Sequence, residues 1–134
     1  QRHPTPEGGR PFPPFSMSVR HGPTLYVSGL GPVAPDGTIA RGDFAAQFAQ
    51  VMANLHAALA QAGTDITRVL KTSVLLVRAT DVEAMNLLYR EAFPADALPA
   101  RTTSVVAALP VPDFLLEIEC IAAMPTGSAR HPPP

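Results

Sequence analysis

Two carboxylates near the C-terminal end of the chain are the first groups that could do chemistry. Glu117 and Glu119 lie in residues 114–123, an otherwise apolar segment whose alternation predicts a β-strand. They share a face with Leu115, Ile121 and Ala123. The opposite face is expected to point toward helices, and it carries Phe114, Leu116, Ile118, Cys120 and Ala122. The face with the carboxylates is too apolar for free solvent and too charged for a dry core. It is explained either by a subunit interface lined with a polar site or by an ordinary half-solvated sheet face.

Arg101 is the second group of chemical interest. A guanidinium can hold a carboxylate through two parallel N–H bonds, which fixes its orientation as well as its charge. A structural ion pair with Glu117 or Glu119 on a neighbouring strand is the alternative. In a partly dry cleft Glu117 would have a raised pKa and could exchange protons near neutrality.

Two amphipathic helices are predicted to position these groups. The first is capped by Asp43, ends at Gly63, and places one apolar stripe on one face: Phe44, Phe48, Val51, Met52, Leu55, Leu59 and Ala62. The second follows the capping-box pattern of Thr80 and Glu83 and is ended by Pro94.

Five segments have the β-branched, apolar or alternating composition of strands: residues 15–21, 24–28, 69–77, 102–107 and 114–123. The turn signal His21-Gly22-Pro23 makes the first two a hairpin. The order is then β-β-α-β-α-β-β. Two helices on one face of a mixed sheet give an α+β sandwich.

The 134 residues and 16 prolines suggest one folded domain between two proline-rich ends. Residues 15–124 form the predicted domain, residues 1–14 an extended arm, and residues 125–134 a loose tail.

The composition excludes several classes of function. The net charge of −1 argues against a protein that grips a nucleic-acid backbone. One cysteine, Cys120, excludes an internal disulfide and a multi-cysteine zinc site, and the histidines have no ligand-like spacing, so no metal site is expected. No apolar run is long enough to span a bilayer, and we expect a cytoplasmic protein. Charged residues make up only 16%, which suggests that copies of the chain cover part of the surface.

Six groups of residues match one family in order and spacing: Leu25-Tyr26-Val27-Ser28-Gly29; Asp36-Gly37 with Asp43, Gln47 and Asn54; Ala62-Gly63 with Val69-Leu70-Lys71-Thr72; Met85-Asn86 with Tyr89; Pro99-Ala100-Arg101-Thr102-Thr103; and Glu117-Ile118-Glu119. On these motifs the chain resembles the Rid family of reactive-intermediate deaminases, also called the YjgF family. The resemblance implies a chorismate-mutase-like α+β fold with about six strands, and homotrimers with ligand clefts between subunits. It further implies hydrolysis of enamines and imines such as 2-aminoacrylate to 2-oxoacids and ammonia, with no metal or organic cofactor.

The resemblance also assigns roles to residues. Arg101 would bind the substrate carboxylate, and Glu117 would position the attacking water. The substrate cleft would be lined by Phe15, Ser28, Gly29, Leu30, Asn86 and Thr103. Glu119 receives a structural or trimer-contact role, and Cys120, on the side that faces the core, is expected to be inert.

Three of these positions depart from the pattern of the family. Leu30 stands where glutamine is frequent, Phe15 where tyrosine is frequent, and Thr103 where the best-studied subgroup has cysteine. The apolar changes suggest a substrate other than, or broader than, 2-aminoacrylate. A module that binds a 2-oxoacid without turnover is the alternative, because carboxylate binding is common to both. An endoribonuclease is disfavoured by the absence of a basic patch in the sequence.

Overall fold

The computed structural model describes residues 1–4 and 13–126, and its strands form one mixed six-stranded sheet. The strands are β1 (Arg2–Pro4), β2 (Ser16–His21), β3 (Thr24–Leu30), β4 (Val69–Leu76), β5 (Ala100–Val105) and β6 (Leu116–Ala123). Their order across the sheet is β1-β2-β3-β6-β4-β5. β4 and β5 run parallel, and the other neighbours run antiparallel.

Two helices, α1 (Phe44–Ala62) and α2 (Val82–Ala92), pack on one face of this sheet. The predicted start of α1 is confirmed, since the Asp43 carboxylate accepts a hydrogen bond of 3.0 Å from the backbone N–H of Ala46. Its end is confirmed at Gly63, which has a φ of 92°, a left-handed conformation that glycine adopts without strain. The predicted α+β fold with two helices on one side is therefore the observed one.

The core lies between the helices and the inner face of the sheet. The side of β6 that was predicted to face the helices is buried, at Leu116, Ile118, Cys120 and Ala122. These residues meet α1 side chains such as Val51, Leu55 and Leu59, and α2 adds Met85 and Tyr89. Burial of this apolar surface is the main driving force for the fold.

A buried amide ties α1 to the loop that precedes it and to the loop that precedes β6. The side chain of Gln47 is fully buried, and its Nε2 donates hydrogen bonds of 3.0 Å to the carbonyls of Ala40 and Asp113. Its Oε1 accepts a bond of 2.8 Å from the backbone N–H of Leu115. Gln47 therefore fixes the chain immediately before β6 begins, which sets which residues of β6 face inward.

The main departures from the sequence-based expectations concern α2, β5, β6 and the N-terminal arm. The capping box at Thr80 and Glu83 is wrong: a single 3₁₀ turn, Ala79–Asp81, precedes α2, whose N-cap Asp81 makes no side-chain capping bond. The Asp81 carboxylate instead pairs with Arg78 at 2.7 Å. β5 begins at Ala100 because its parallel pairing with β4 starts there, and it ends at Val105. β6 begins at Leu116 because the chain still turns at Phe114.

The fourth difference lies in the predicted N-terminal arm. Arg2–Pro4 forms strand β1 and pairs with β2 at the edge of the sheet. Residues 5–12 and 127–134 lie outside the described residues, so the domain limits and the loose tail stay predictions.

We expect Gln47→Leu to lower the free energy of unfolding by about 2–3 kcal/mol, because it leaves three partly buried backbone groups without partners. Urea denaturation measures this loss. Gln61→Leu, at an exposed position of the same helix, is the matched control and should change stability by less than about 0.5 kcal/mol. Equal effects of the two variants would contradict a structural role for the buried amide.

Candidate functional site

Arg101 lies on the edge strand β5 and points to the helix side of the sheet. Its register partner on β4 is Thr72, which is buried in the core. The guanidinium reaches α2, where Nη2 donates a hydrogen bond of 2.7 Å to Asn86 Oδ1 and Nη1 lies 3.8 Å from Met85 Sδ. The arginine is therefore held in a defined orientation although its side chain is exposed.

Tyr89 supplies the surface on which Arg101 rests. The guanidinium carbon lies 4.7 Å from the centroid of the tyrosine ring, a cation–π distance. The ring itself is fixed, because its hydroxyl lies 2.7 Å from Thr72 Oγ1 and its face stacks on Phe93 at 4.4 Å. Burial raises the pKa of Tyr89, so this residue acts as a neutral phenol.

A cavity of about 340 Å³ opens beside this arginine. Its lining consists of Asn86, Tyr89, Arg90, Leu98, Pro99 and Arg101. The predicted alternative of an ion pair between Arg101 and Glu117 or Glu119 is not observed, and among the described residues Arg101 has no acidic partner. Its charge is therefore available to an anion in the cavity. We call Arg101, Asn86 and Tyr89 the arginine half-site.

Glu117 lies on the opposite face of the sheet. It pairs with Leu75 of β4 and is half-buried, whereas Glu119, two residues further on, is exposed. Burial raises the pKa of Glu117, and repulsion from the charge of Glu119 raises it further. Glu117 therefore holds a proton at higher pH than an ordinary glutamate does.

Gly29 leaves the space that the Glu117 carboxylate occupies. A Cβ at position 29 would collide with the Glu117 carboxylate, and β3 is irregular there, between Val27 and Leu30. The backbone of Gly29 is not in the left-handed region, so close approach of a side chain explains this glycine. The neighbouring Ser28 Oγ donates a hydrogen bond of 2.6 Å to the carbonyl of Ser16. We call Glu117, Gly29 and Ser28 the glutamate half-site.

The structure places six of the eight predicted site residues in or beside these two groups and leaves Phe15 and Leu30 outside them. Asn86 and Thr103 lie on the side of Arg101, Thr103 two residues along the same strand. Phe15 lies directly before β2 with 55% of its surface exposed. Leu30 packs in the core at 7% exposure, so its contacts are those of a core residue. One chain does not bring Arg101 and Glu117 into one cleft.

Sequence reasoning did not assign four of the residues that line the cavity to the site: Tyr89, Arg90, Leu98 and Pro99. The helical spacing correctly placed Tyr89 against the core, but it hid the second contact of the ring, with Arg101. For the other three residues, the available signal in the sequence was their position. Arg90 follows Asn86 by one helical turn, and Leu98 and Pro99 directly precede β5.

Cys120 takes no part in either half-site. It is 3% exposed, and burial, followed by the charge of Glu119, raises its pKa to about 12. The predicted core-facing position of Cys120 is thus confirmed, and its inertness stays a prediction. No helix within residues 1–4 and 13–126 is long and apolar enough to cross a membrane, and the cytoplasmic location stays a prediction.

The fold and the two half-sites define an α+β domain with an arginine-based anion site on one face of its sheet and a protonatable carboxylate on the other. A family model described as "Endoribonuclease L-PSP" matches residues 8–124. The chain is 37% identical over 119 residues to the RutC family protein of Pyrococcus horikoshii, covering 88% of this chain and 93% of that protein.

Two further relatives carry names that concern chemistry. The human 2-iminobutanoate/2-iminopropanoate deaminase is 36% identical over 110 residues, which covers 81% of this chain and 79% of the human protein. The crystal structure of RidA from the Antarctic bacterium Psychrobacter sp. superposes with a TM-score of 0.78 at 31% identity, covering 92% of this chain and 94% of that one. The chain belongs to the Rid (YjgF) family.

The raised pKa of Glu117 predicts how stability depends on pH. A carboxyl group whose pKa is higher in the folded state contributes stability below its unfolded pKa, which is ordinarily 4.5, and loses that contribution as the pH rises through the folded value. We therefore expect wild type to lose stability relative to Glu117→Gln as the pH rises above 4.5, through the raised pKa of Glu117.

Urea denaturation across this pH range measures the difference. Glu91→Gln, at an exposed position on α2, is the matched control. The effect of Glu117 is the difference between the two variants in how the free energy of unfolding changes with pH. A wild type that gains stability relative to Glu117→Gln with rising pH would contradict the assignment.

Proposed function

We propose that this protein hydrolyses enamines and imines of amino acids to 2-oxoacids and ammonia. The observation that carries the proposal is the orientation of Arg101, whose charge is held at a cavity by Asn86 and Tyr89 and has no acidic partner among the described residues. The name of the human relative, a 2-iminobutanoate/2-iminopropanoate deaminase, supports the reaction class.

In this reaction the carboxylate of the substrate forms two parallel hydrogen bonds with Arg101. An enamine first tautomerises to the imine, whose C2 is the electrophile. The oxygen of water bonds to C2 while the electron pair of the C=N bond moves to nitrogen, which takes up a proton. The carbinolamine then loses ammonia as the C=O bond forms. No electrons are exchanged with an external group, so the reaction needs no redox cofactor.

Glu117 serves as the group that positions water and exchanges the proton. Its raised pKa suits this task, since a proton shuttle works best when its pKa lies nearer the working pH. Gly29 leaves room for the carboxylate, and Ser28 lies beside it. Glu119 is exposed on the same face and acts on Glu117 through its charge.

The complete cleft requires two chains. Arg101 and Glu117 project from opposite faces of one sheet, so a substrate that touches both must lie between the arginine half-site of one copy and the glutamate half-site of another. The face that carries Glu117 also exposes apolar groups, including Tyr26 at 48%, as expected of a contact surface. We propose a cyclic homotrimer, the assembly that the resemblance to the family implies.

The substrate is proposed to be a carboxylate-bearing imine larger than 2-aminoacrylate, or a range of such imines. Two apolar residues, Leu98 and Pro99, line the cavity and can contact a longer substrate, and Phe15 is exposed before β2. A module that binds 2-oxoacids without turnover is the alternative. The family description also names an endoribonuclease, but a chain of net charge −1 offers little attraction to an RNA backbone.

Imines generated in the assay by an amino-acid oxidase test the activity, with loss of imine followed against the spontaneous rate. We expect wild type to accelerate hydrolysis and Arg101→Gln to lower kcat/KM at least about 30-fold, because a charge-assisted bidentate contact is lost. Arg68→Gln, an arginine outside both half-sites, is the control. No acceleration by wild type on any imine would refute the deaminase and favour the binding module.

A mixing experiment tests the shared cleft. Arg101→Gln and Glu117→Gln homo-oligomers should each be inactive. When equal amounts are unfolded and refolded together, about a quarter of the clefts in a cyclic trimer combine an intact arginine half-site with an intact glutamate half-site. Recovery of about a quarter of the wild-type activity is the expected result. A mixture as inactive as its parents would show that the two residues do not share a cleft across copies.

A further inference from the structure

Arg90 lines the same cavity as Arg101, and neither the proposed reaction nor the motifs of the sequence use it. It lies in the last turn of α2, one helical turn after Asn86, which holds Arg101 in place. Arg90 on α2 and Arg101 on β5 therefore line one cavity from two different elements. Their backbones are fixed by the helix and by the sheet.

Among the residues that the structure describes, no carboxylate lines the cavity to neutralise these two charges. The other lining residues are Asn86, Tyr89, Leu98 and Pro99, all of them neutral. Arg90 forms no ion pair among the described residues, whereas Arg41 and Arg78 pair with Asp113 and Asp81. In a chain whose net charge is −1, this is a local excess of positive charge inside a concave site.

A substrate with one carboxylate satisfies one of the two guanidinium groups. Arg101, exposed but anchored by Asn86 and Tyr89, is the fixed anchor for the carboxylate next to the reacting carbon. A second carboxylate at the other end of a short chain would meet Arg90. Leu98, which is 55% exposed, and Pro99 then offer apolar contact to the methylene groups between the two carboxylates.

We propose that Arg90 is a specificity-determining residue that binds a second, distal carboxylate, so that the preferred substrates are four- and five-carbon 2-imino dicarboxylates. These are the imines that arise when an acidic amino acid is oxidised at its α-carbon. The proposal rests on the proposed deaminase function for its substrate class. Recognition of a dicarboxylate by Arg90 and Arg101 together does not depend on turnover and can be tested without it.

A purely structural role for Arg90 makes a different prediction. A basic residue in the last turn of a helix interacts favourably with the helix dipole, which would stabilise the fold slightly and have no influence on substrate choice. Substrate preference is therefore the readout that distinguishes the two roles.

Steady-state kinetics compare the imines of aspartate and glutamate with 2-iminobutanoate, each generated by a matching oxidase. We expect wild type to have the higher kcat/KM on the dicarboxylates. Arg90→Gln should lower the ratio of dicarboxylate to monocarboxylate kcat/KM at least about tenfold, chiefly through KM, since one charge-assisted contact is lost. Arg90→Lys should retain part of the preference, because it keeps the charge without the planar fork. Arg68→Gln should leave the ratio unchanged.

Titration calorimetry with 2-oxoglutarate and 2-oxobutanoate gives the second readout, without turnover. Tighter binding of 2-oxoglutarate to wild type, lost in Arg90→Gln, would support the proposal even if no imine is hydrolysed. If 2-iminobutanoate is hydrolysed in an Arg101-dependent way and the dicarboxylates show neither preference nor dependence on Arg90, this inference is wrong and the deaminase stands. If neither oxoacid binds and no imine is hydrolysed, both fail.

Discussion

One buried amide, the side chain of Gln47, sets the register on which the rest of the molecule depends. It holds the carbonyl of Asp113 and the N–H of Leu115, the residues that lead into β6. Since β6 lies between β3 and β4, its register decides the alignment of both neighbours. A slip of one residue would turn Glu117 into the core and Ile118 outward, which would destroy the core and the glutamate half-site together.

The two faces of the sheet contribute differently to the stability of the fold and to its chemistry. The inner face is apolar and closed by α1 and α2, except at the edge strand β5, where Arg101 extends over Tyr89. The outer face has no helix above it among the described residues and carries the carboxylate with the raised pKa. The parallel edge strand β5 thus carries Arg101 on one side of the sheet, and the central antiparallel strand β6 carries Glu117 on the other.

The sequence was sufficient to predict what depends on local pattern. The period of α1, its Asp43 and Gly63 ends and the inward side of β6 follow from apolar spacing and cap chemistry, and the structure agrees. The start of α2 did not follow, because the 3₁₀ turn Ala79–Asp81 contains Thr80, the residue expected to cap the helix. The contacts of Arg101 were beyond reach as well, since they join β5 to α2 across tertiary structure and no spacing along the chain encodes them.

The burial of Cys120 has a practical consequence for labelling. The chain has one cysteine, and its thiol stays protonated and covered under ordinary conditions, since its pKa is about 12. Thiolate-directed reagents react with the ionised form, so the native chain should remain unmodified by them. A cysteine introduced at the exposed Leu98, at the cavity, would then be the single reactive thiol of the protein. A fluorophore attached there would report on ligand entry without any need to remove the native cysteine.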